Sequence, residues 1–240
     1  MRTYASQIAG ELIALAVLAL LPAACTPKPE AAKGVEIREK ALVRFVNATT
    51  FKEPVDLYVD DAKALPDIGT DEVTDYNEWL AERHDFELRT GGAAKPLATN
   101  SESLSAGERY TVVGFNKTDG TPGVAVFREN VSQPETGKAR IRLIHVADGA
   151  GELDVFAAGT KESIGEGISY KTDSSAEVDP DVKSIDIRKE GEETVWVKIS
   201  DLSLEAGRTY TIIVAADADH KPRAIQAEHA TPIREGYLTR

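Results

Sequence analysis

The chain has 240 residues, a formal net charge of −12 and one cysteine, a length that allows one or two domains. The acidic balance repels phosphate backbones and argues against a nucleic-acid partner. A single cysteine rules out an intramolecular disulfide and a cysteine-based metal site, so an exported form of this chain depends on its hydrophobic core.

Residues 1–24 read as a signal peptide. Arg2 supplies positive charge, and Leu12 to Leu21 is an apolar run of ten residues, short of the roughly 20 that span a bilayer as a helix. Leu21-Pro22-Ala23-Ala24-Cys25 follows. It resembles a bacterial lipobox, in which the cysteine thiol takes the lipid and small residues upstream fit the peptidase. Pro22 and Glu11 depart from that pattern. The resemblance implies lipidation of Cys25 with two or three acyl chains, enough for stable anchoring. The alternatives are an ordinary cleaved signal and an uncleaved anchor. Cys25 and the segment to residue 40 read as a spacer off the membrane. The expected address is the cell envelope, at the outer membrane or periplasmic face in a Gram-negative host.

From Glu53 to Glu87 there are twelve Asp or Glu and two basic residues. This reads as a solvated acidic face, or else as a surface for a divalent cation or a cationic partner. Val43-Arg44-Phe45-Val46-Asn47 matches Ile141-Arg142-Leu143-Ile144-His145 at an offset of 98, and Val55-Asp56-Leu57-Tyr58 matches Leu153-Asp154-Val155-Phe156 at the same offset. Phe86-Glu87-Leu88-Arg89 matches Ile185-Asp186-Ile187-Arg188 at 99, and Leu104-x-Ala106-Gly107-x-x-Tyr110 matches Leu204-x-Ala206-Gly207-x-x-Tyr210 at 100. Blocks in one order at a steady offset mark an internal repeat. The expected modules are 41–133 and 139–231, joined by a segment of linker composition, with a tail at 232–240.

Within each module apolar residues alternate with polar ones, as in half-buried antiparallel strands. Gly91-Gly92, Asp119-Gly120, Asp148-Gly149 and Glu190-Gly191 supply turns. About seven strands in under ~100 residues predict an all-β fold of two tandem immunoglobulin-like, Greek-key β-sandwich domains. One short helix is expected within Glu72 to Arg83. Tyr110 and Tyr210, each three residues after a turn glycine, are expected to form tyrosine corners.

The blocks V-R-F-V-N-A…V-D-L-Y and I-R-L-I-H-V-A…L-D-V-F resemble a bacterial domain of unknown function, DUF4397, whose members read V-R-x-x-H-x-S-P…V-D-V-Y and often occur in tandem in exported proteins. The Ser-Pro pair is missing from both modules, and Asn47 stands where the family histidine would be. The resemblance implies an immunoglobulin-like fold and no settled activity.

Catalytic signals are sparse. The histidines are His84, His145, His220 and His229, and no zinc-protease, nucleophile-elbow or phosphate-loop motif occurs. His145 with Asp154 is the best dyad candidate, yet strand parity points the two to opposite faces. No residue set for catalysis, a cofactor or a metal is assigned. Asp217-Ala218-Asp219 and Asp179-Pro180-Asp181 lack the spacing of a calcium loop. Trp196 alternates with core residues alongside Thr194 and Lys198, so it is the candidate binding surface: an exposed tryptophan stacks a sugar ring or anchors a protein partner. The alternative is that it covers the other module or a returning loop. The expectation is a non-catalytic envelope lipoprotein whose modules bind an envelope protein or a carbohydrate. The alternatives are an enzyme of unrecognised type and a calcium-stabilised adhesion or spacer element.

Overall fold

The computed structural model describes residues 39–160, 163–217, 219 and 221–227. The expected signal peptide, Cys25, most of the spacer, His220, His229 and the tail 232–240 lie outside them. The first half holds β1 (Lys40–Ala48), β2 (Val55–Val59), β3 (Ala62–Ile68), β4 (Asn77–Leu80), β5 (Arg83–Thr90), β6 (Ala98–Ser103), β7 (Arg109–Asn116) and β8 (Pro122–Arg128). The second repeats the series as β9 (Ala139–His145), β10 (Leu153–Ala157), β11 (Ser163–Ile168), β12 (Thr172–Val178), β13 (Ile185–Lys189), β14 (Val195–Ile199), β15 (Thr209–Ala216) and β16 (Pro222–Ala227).

Each half forms two four-stranded sheets. The orders are β4-β1-β7-β8 and β3-β2-β5-β6, then β12-β9-β15-β16 and β11-β10-β13-β14. Among the described residues no sheet runs through both halves. Among the described residues each sandwich therefore has eight strands, and its first strand runs parallel to its seventh. Val43, Phe45, Leu57, Phe86, Leu88 and Val112 fill the first core. Ile141, Leu143, Val155, Ile185, Ile187 and Ile212 fill the second.

The expected helix within Glu72 to Arg83 is absent. That stretch supplies β4, which pairs antiparallel with β1 through Leu42↔Glu78 and Ala41↔Trp79. The unpaired edge of β1 needs a partner for its backbone groups, and Trp79 packs against the first core.

Both tyrosine corners form. The Ser105 backbone N–H donates to the Tyr110 hydroxyl at 3.0 Å, and the Glu205 N–H to the Tyr210 hydroxyl at 2.9 Å. Gly107 (φ 76°) and Gly207 (φ 81°) make the preceding turns, a left-handed conformation that glycine adopts without a Cβ clash.

The two sandwiches also pack on each other. Val46, Val113, Phe115 and Phe127 leave the first sandwich on the face opposite its core. They meet Ile144, Val146, Ile213 and Ile225 of the second in a third buried apolar cluster. Sheets β4-β1-β7-β8 and β12-β9-β15-β16 are thus covered on both sides, giving four β layers with an apolar seam in the middle. Polar bonds cross one flank of the seam. Arg223 Nη1 donates to Asp71 Oδ1 at 2.6 Å, its Nη2 donates to the Thr49 carbonyl at 2.9 Å, and the Thr118 N–H donates to Asp148 Oδ2 at 2.9 Å.

Candidate functional site

His145 lies at the end of β9, fully buried. Its Nε2 is 2.8 Å from the Gly151 carbonyl, and its Nδ1 accepts the Ala147 N–H at 3.2 Å. Nδ1 as acceptor requires the neutral ring, and burial lowers the pKa, outweighing the Gly151 bond. The first half does the same work with another residue: Asn47 Oδ1 accepts the N–H of Thr49, also two residues on. Asp154, the dyad candidate that strand parity sets on the opposite face, accepts the Gly167 N–H at 2.9 Å. Its repeat counterpart Asp56 accepts the Asp67 N–H at the same distance. Gly167 and Asp67 both have positive φ, 61° and 54°, so this aspartate pins a left-handed residue in the β2–β3 hairpin and in its repeat β10–β11.

The structure pairs a different histidine with an acid. His84 Nδ1 is 2.6 Å from Asp60 Oδ2 and its Nε2 is 2.9 Å from the Leu80 carbonyl. Both ring nitrogens face acceptors, so the imidazolium fits best. Burial opposes that charge, but Asp60 and the carbonyl outweigh it and raise the pKa above the ordinary histidine value. The Asp60 pKa is lowered: burial opposes this, and the Asp85 N–H and His84 outweigh it. The sequence holds no local signal for this pair: the β2–β5 pairing brings residue 60 beside residue 85.

Trp196 departs from simple alternation. Ile187 pairs with Val197 and Arg188 with Val195, so Trp196 occupies a bulge in β14. A bulge changes which face the following side chains take. The indole is half-buried against the second core, with Lys189 Nζ 5.3 Å from its ring centroid. Val195 is the exposed apolar residue beside it.

The outermost sheets carry a repeat-related surface that the matching motifs foreshadowed. Arg89 lies over the Tyr58 ring at 4.2 Å and is tied to Glu87 Oε2 at 2.5 Å. Arg188 lies over the Phe156 ring at 4.5 Å, but Asp186 is one methylene shorter than Glu87. Its carboxylate stays 3.9 Å from Arg188 Nη2 and 4.0 Å from Lys198 Nζ. Asp186 is buried, and its Oδ1 accepts no hydrogen bond. In the aspartate loops, Asp217 Oδ1 accepts the N–H groups of Asp219 and Lys221, and Asp179 pairs with Lys138. Among the described residues no group of three or more His, Cys, Asp or Glu could hold a metal ion.

At the end of the seam where β1 and β9 begin, its apolar faces give way to arginine. Arg44, Arg109, Arg140 and Arg142 are all buried and line a cavity of about 50 Å³. Glu129 sits among them. It accepts from the Tyr76 hydroxyl at 2.8 Å and the Thr111 hydroxyl at 2.5 Å, with Arg44 Nη2 at 3.3 Å. Burial and the Glu129 charge push the Tyr76 pKa up, so the phenol stays a donor. The linker closes one side, where the Ser132 carbonyl accepts from Arg140 Nη1 at 2.7 Å.

These features define an all-β protein of two tandem β-sandwich domains. The model of the family described as Domain of unknown function (DUF4397) matches residues 41–156, the whole first sandwich and the opening of the second. No curated protein matches the chain. Among solved structures, a family 26 carbohydrate-binding module from Eubacterium rectale Amy13K, in complex with maltoheptaose, is similar at 15% identity and TM-score 0.28, over 80% of this chain and 98% of that one. A structure described as alpha-glucan binding by a streptococcal virulence factor is similar at 12% identity and TM-score 0.25, over 75% and 94%. At these TM-scores the likeness carries no functional argument.

Proposed function

We propose that this chain is a non-catalytic envelope protein, held to the membrane by a lipid on Cys25, and that the outer face of sheet β11-β10-β13-β14 binds a carbohydrate of the envelope. The observation that carries this reading is Asp186. Its Oδ1 is a buried carboxylate oxygen without a hydrogen bond, which is costly, and the same position in the first sandwich is a closed Glu87–Arg89 pair. Sugar hydroxyls donate to such a carboxylate and accept from the flanking Arg188 and Lys198. Phe156 and the exposed Val195 add apolar surface beside them. The non-catalytic reading is supported by His84 and His145, whose ring nitrogens all serve structural partners.

The test is retention of the purified protein on envelope polysaccharides. Asp186→Ala should weaken retention at least about tenfold, the loss expected for hydrogen bonds to a charged group, while Glu87→Gln leaves it unchanged. Asp186→Ala should change stability little, because Asp186 Oδ1 has no hydrogen bond to lose and its charge contacts with Arg188 and Lys198 are long, 3.9 and 4.0 Å. Equal binding by wild type and Asp186→Ala, or no retention of either, would overturn the carbohydrate reading. Capture of an envelope protein that depends on Asp186 would replace the sugar by a protein partner. The anchor is tested separately. Cys25→Ser should move the protein out of the membrane fraction or leave it unprocessed, and wild-type protein without labelled fatty acid would refute it.

A further inference from the structure

We infer that the arginine-walled cavity at the end of the seam is a binding site for a small oxyanion. It lies between the two sandwiches, away from the face assigned to carbohydrate, and stands independently of that reading.

The walls come from the repeat itself. Arg44 and Arg142 are repeat partners on β1 and β9, and Thr111 and Thr211 are repeat partners on β7 and β15. The seam brings Arg44, Arg142 and Thr211 to one cavity, and Thr111 stands behind its wall, bonded to Arg44 Nε and Glu129 Oε1. Arginine stays charged when buried, and its planar fork matches carboxylate, sulfate and phosphate oxygens. Burying guanidinium groups is unfavourable without anions and hydrogen bonds to meet them.

Arg142 shows where the protein's own groups stop. Its Nε donates to Asp173 Oδ2 at 2.7 Å and its Nη2 to the Arg128 carbonyl at 2.8 Å. Its Nη1, on a side chain 3% exposed, has no hydrogen-bond acceptor and stands 3.7 Å from Glu129 Oε1. That oxygen already accepts from Tyr76 and Thr111. The cavity of about 50 Å³ has room for roughly three to five water-sized probes, which suits a single oxyanion and excludes a nucleotide or a sugar chain. An oxygen placed there accepts from Arg142 Nη1, with Thr211 and Thr209 hydroxyls as further lining donors.

The test uses the full chain. Equilibrium dialysis with inorganic phosphate and with sulfate, at constant ionic strength in chloride, should give one saturable site. Tm should rise by about 5 °C or more at a hundredfold excess over the dissociation constant. Acetate as competitor distinguishes planar from tetrahedral ions: strong competition assigns a carboxylate as the natural occupant, weak competition a tetrahedral ion. Arg142→Gln should abolish the site. Because that change touches buried bonds, Ser175→Glu provides the second variant. Ser175 is exposed on the edge strand β12 and lines the cavity, so its new carboxylate supplies an internal anion, raises Tm without phosphate and removes the phosphate effect. No saturable binding by the wild type, or an undiminished phosphate effect in folded Ser175→Glu protein, would overturn the inference.

Discussion

Phe115→Ala should destabilise the protein by ~3–5 kcal/mol, the range for truncating a buried phenylalanine, and lower Tm by roughly 6–20 °C. Phe115 is fully buried in the seam, edge-on to Tyr170 with ring centroids 6.0 Å apart. Its ring lies over Gly123 of the neighbouring strand, where an added Cβ would stand 2.5 Å from Phe115 Cζ. Gly123→Ala should therefore strain the same contact from the other side, at a cost of ~1–3 kcal/mol. The wild type should unfold in urea as one transition, because the seam couples the two sandwiches. In Phe115→Ala that coupling weakens and the halves should separate into two transitions. A midpoint shift worth less than about 1 kcal/mol would mean that the seam does not hold the sandwiches together.

His145→Leu should cost ~2–5 kcal/mol. It leaves the Ala147 N–H and the Gly151 carbonyl without their side-chain partner, and each orphaned buried group costs about 1–3 kcal/mol. His145→Asn should cost only about 1 kcal/mol, because Asn47 shows that an amide oxygen can accept the N–H two residues on. The two histidines also respond to pH in opposite directions. The pKa of His145 is lowered by folding, so its contribution is complete above the unfolded value of about 6.5 and is lost as pH falls through the folded pKa. That of His84 is raised, so its contribution is complete below about 6.5 and is lost as pH rises through the folded pKa. Urea midpoints for His145→Asn should therefore gain on wild type between pH 7.5 and pH 5. A constant difference across that window would show that His145 is not held neutral.

The motif shared by the two halves was legible as a repeat, and much of it is architectural. Asp56 and Asp154 support left-handed residues in hairpins, and Tyr110 and Tyr210 close corners. Alternation in Val55-Asp56-Leu57 and Ile185-Asp186-Ile187 marked the half-buried outer sheets, because a strand with one wet face must alternate. Val112-Val113 and Ile212-Ile213-Val214-Ala215-Ala216 carried another signal, since continuous apolar runs belong to strands buried on both faces. That signal pointed to the seam, though not to which surfaces meet there.

Composition and order along the chain determined the all-β class, the repeat, the corners and the absence of an intramolecular disulfide. These follow from local alternation, turn residues and a single cysteine, none of which needs long-range contact. Only the tertiary structure decided the rest. The stretch around Trp79 became a strand because β1 has an open edge, and the bulge in β14 turned Trp196 toward the core. Arg44 and Arg142, 98 positions apart in the sequence, meet in one cavity because two sheets bury their outer faces together. No local pattern encodes which sheet packs on which, since that choice depends on complementary shape and burial across chain segments about a hundred residues apart.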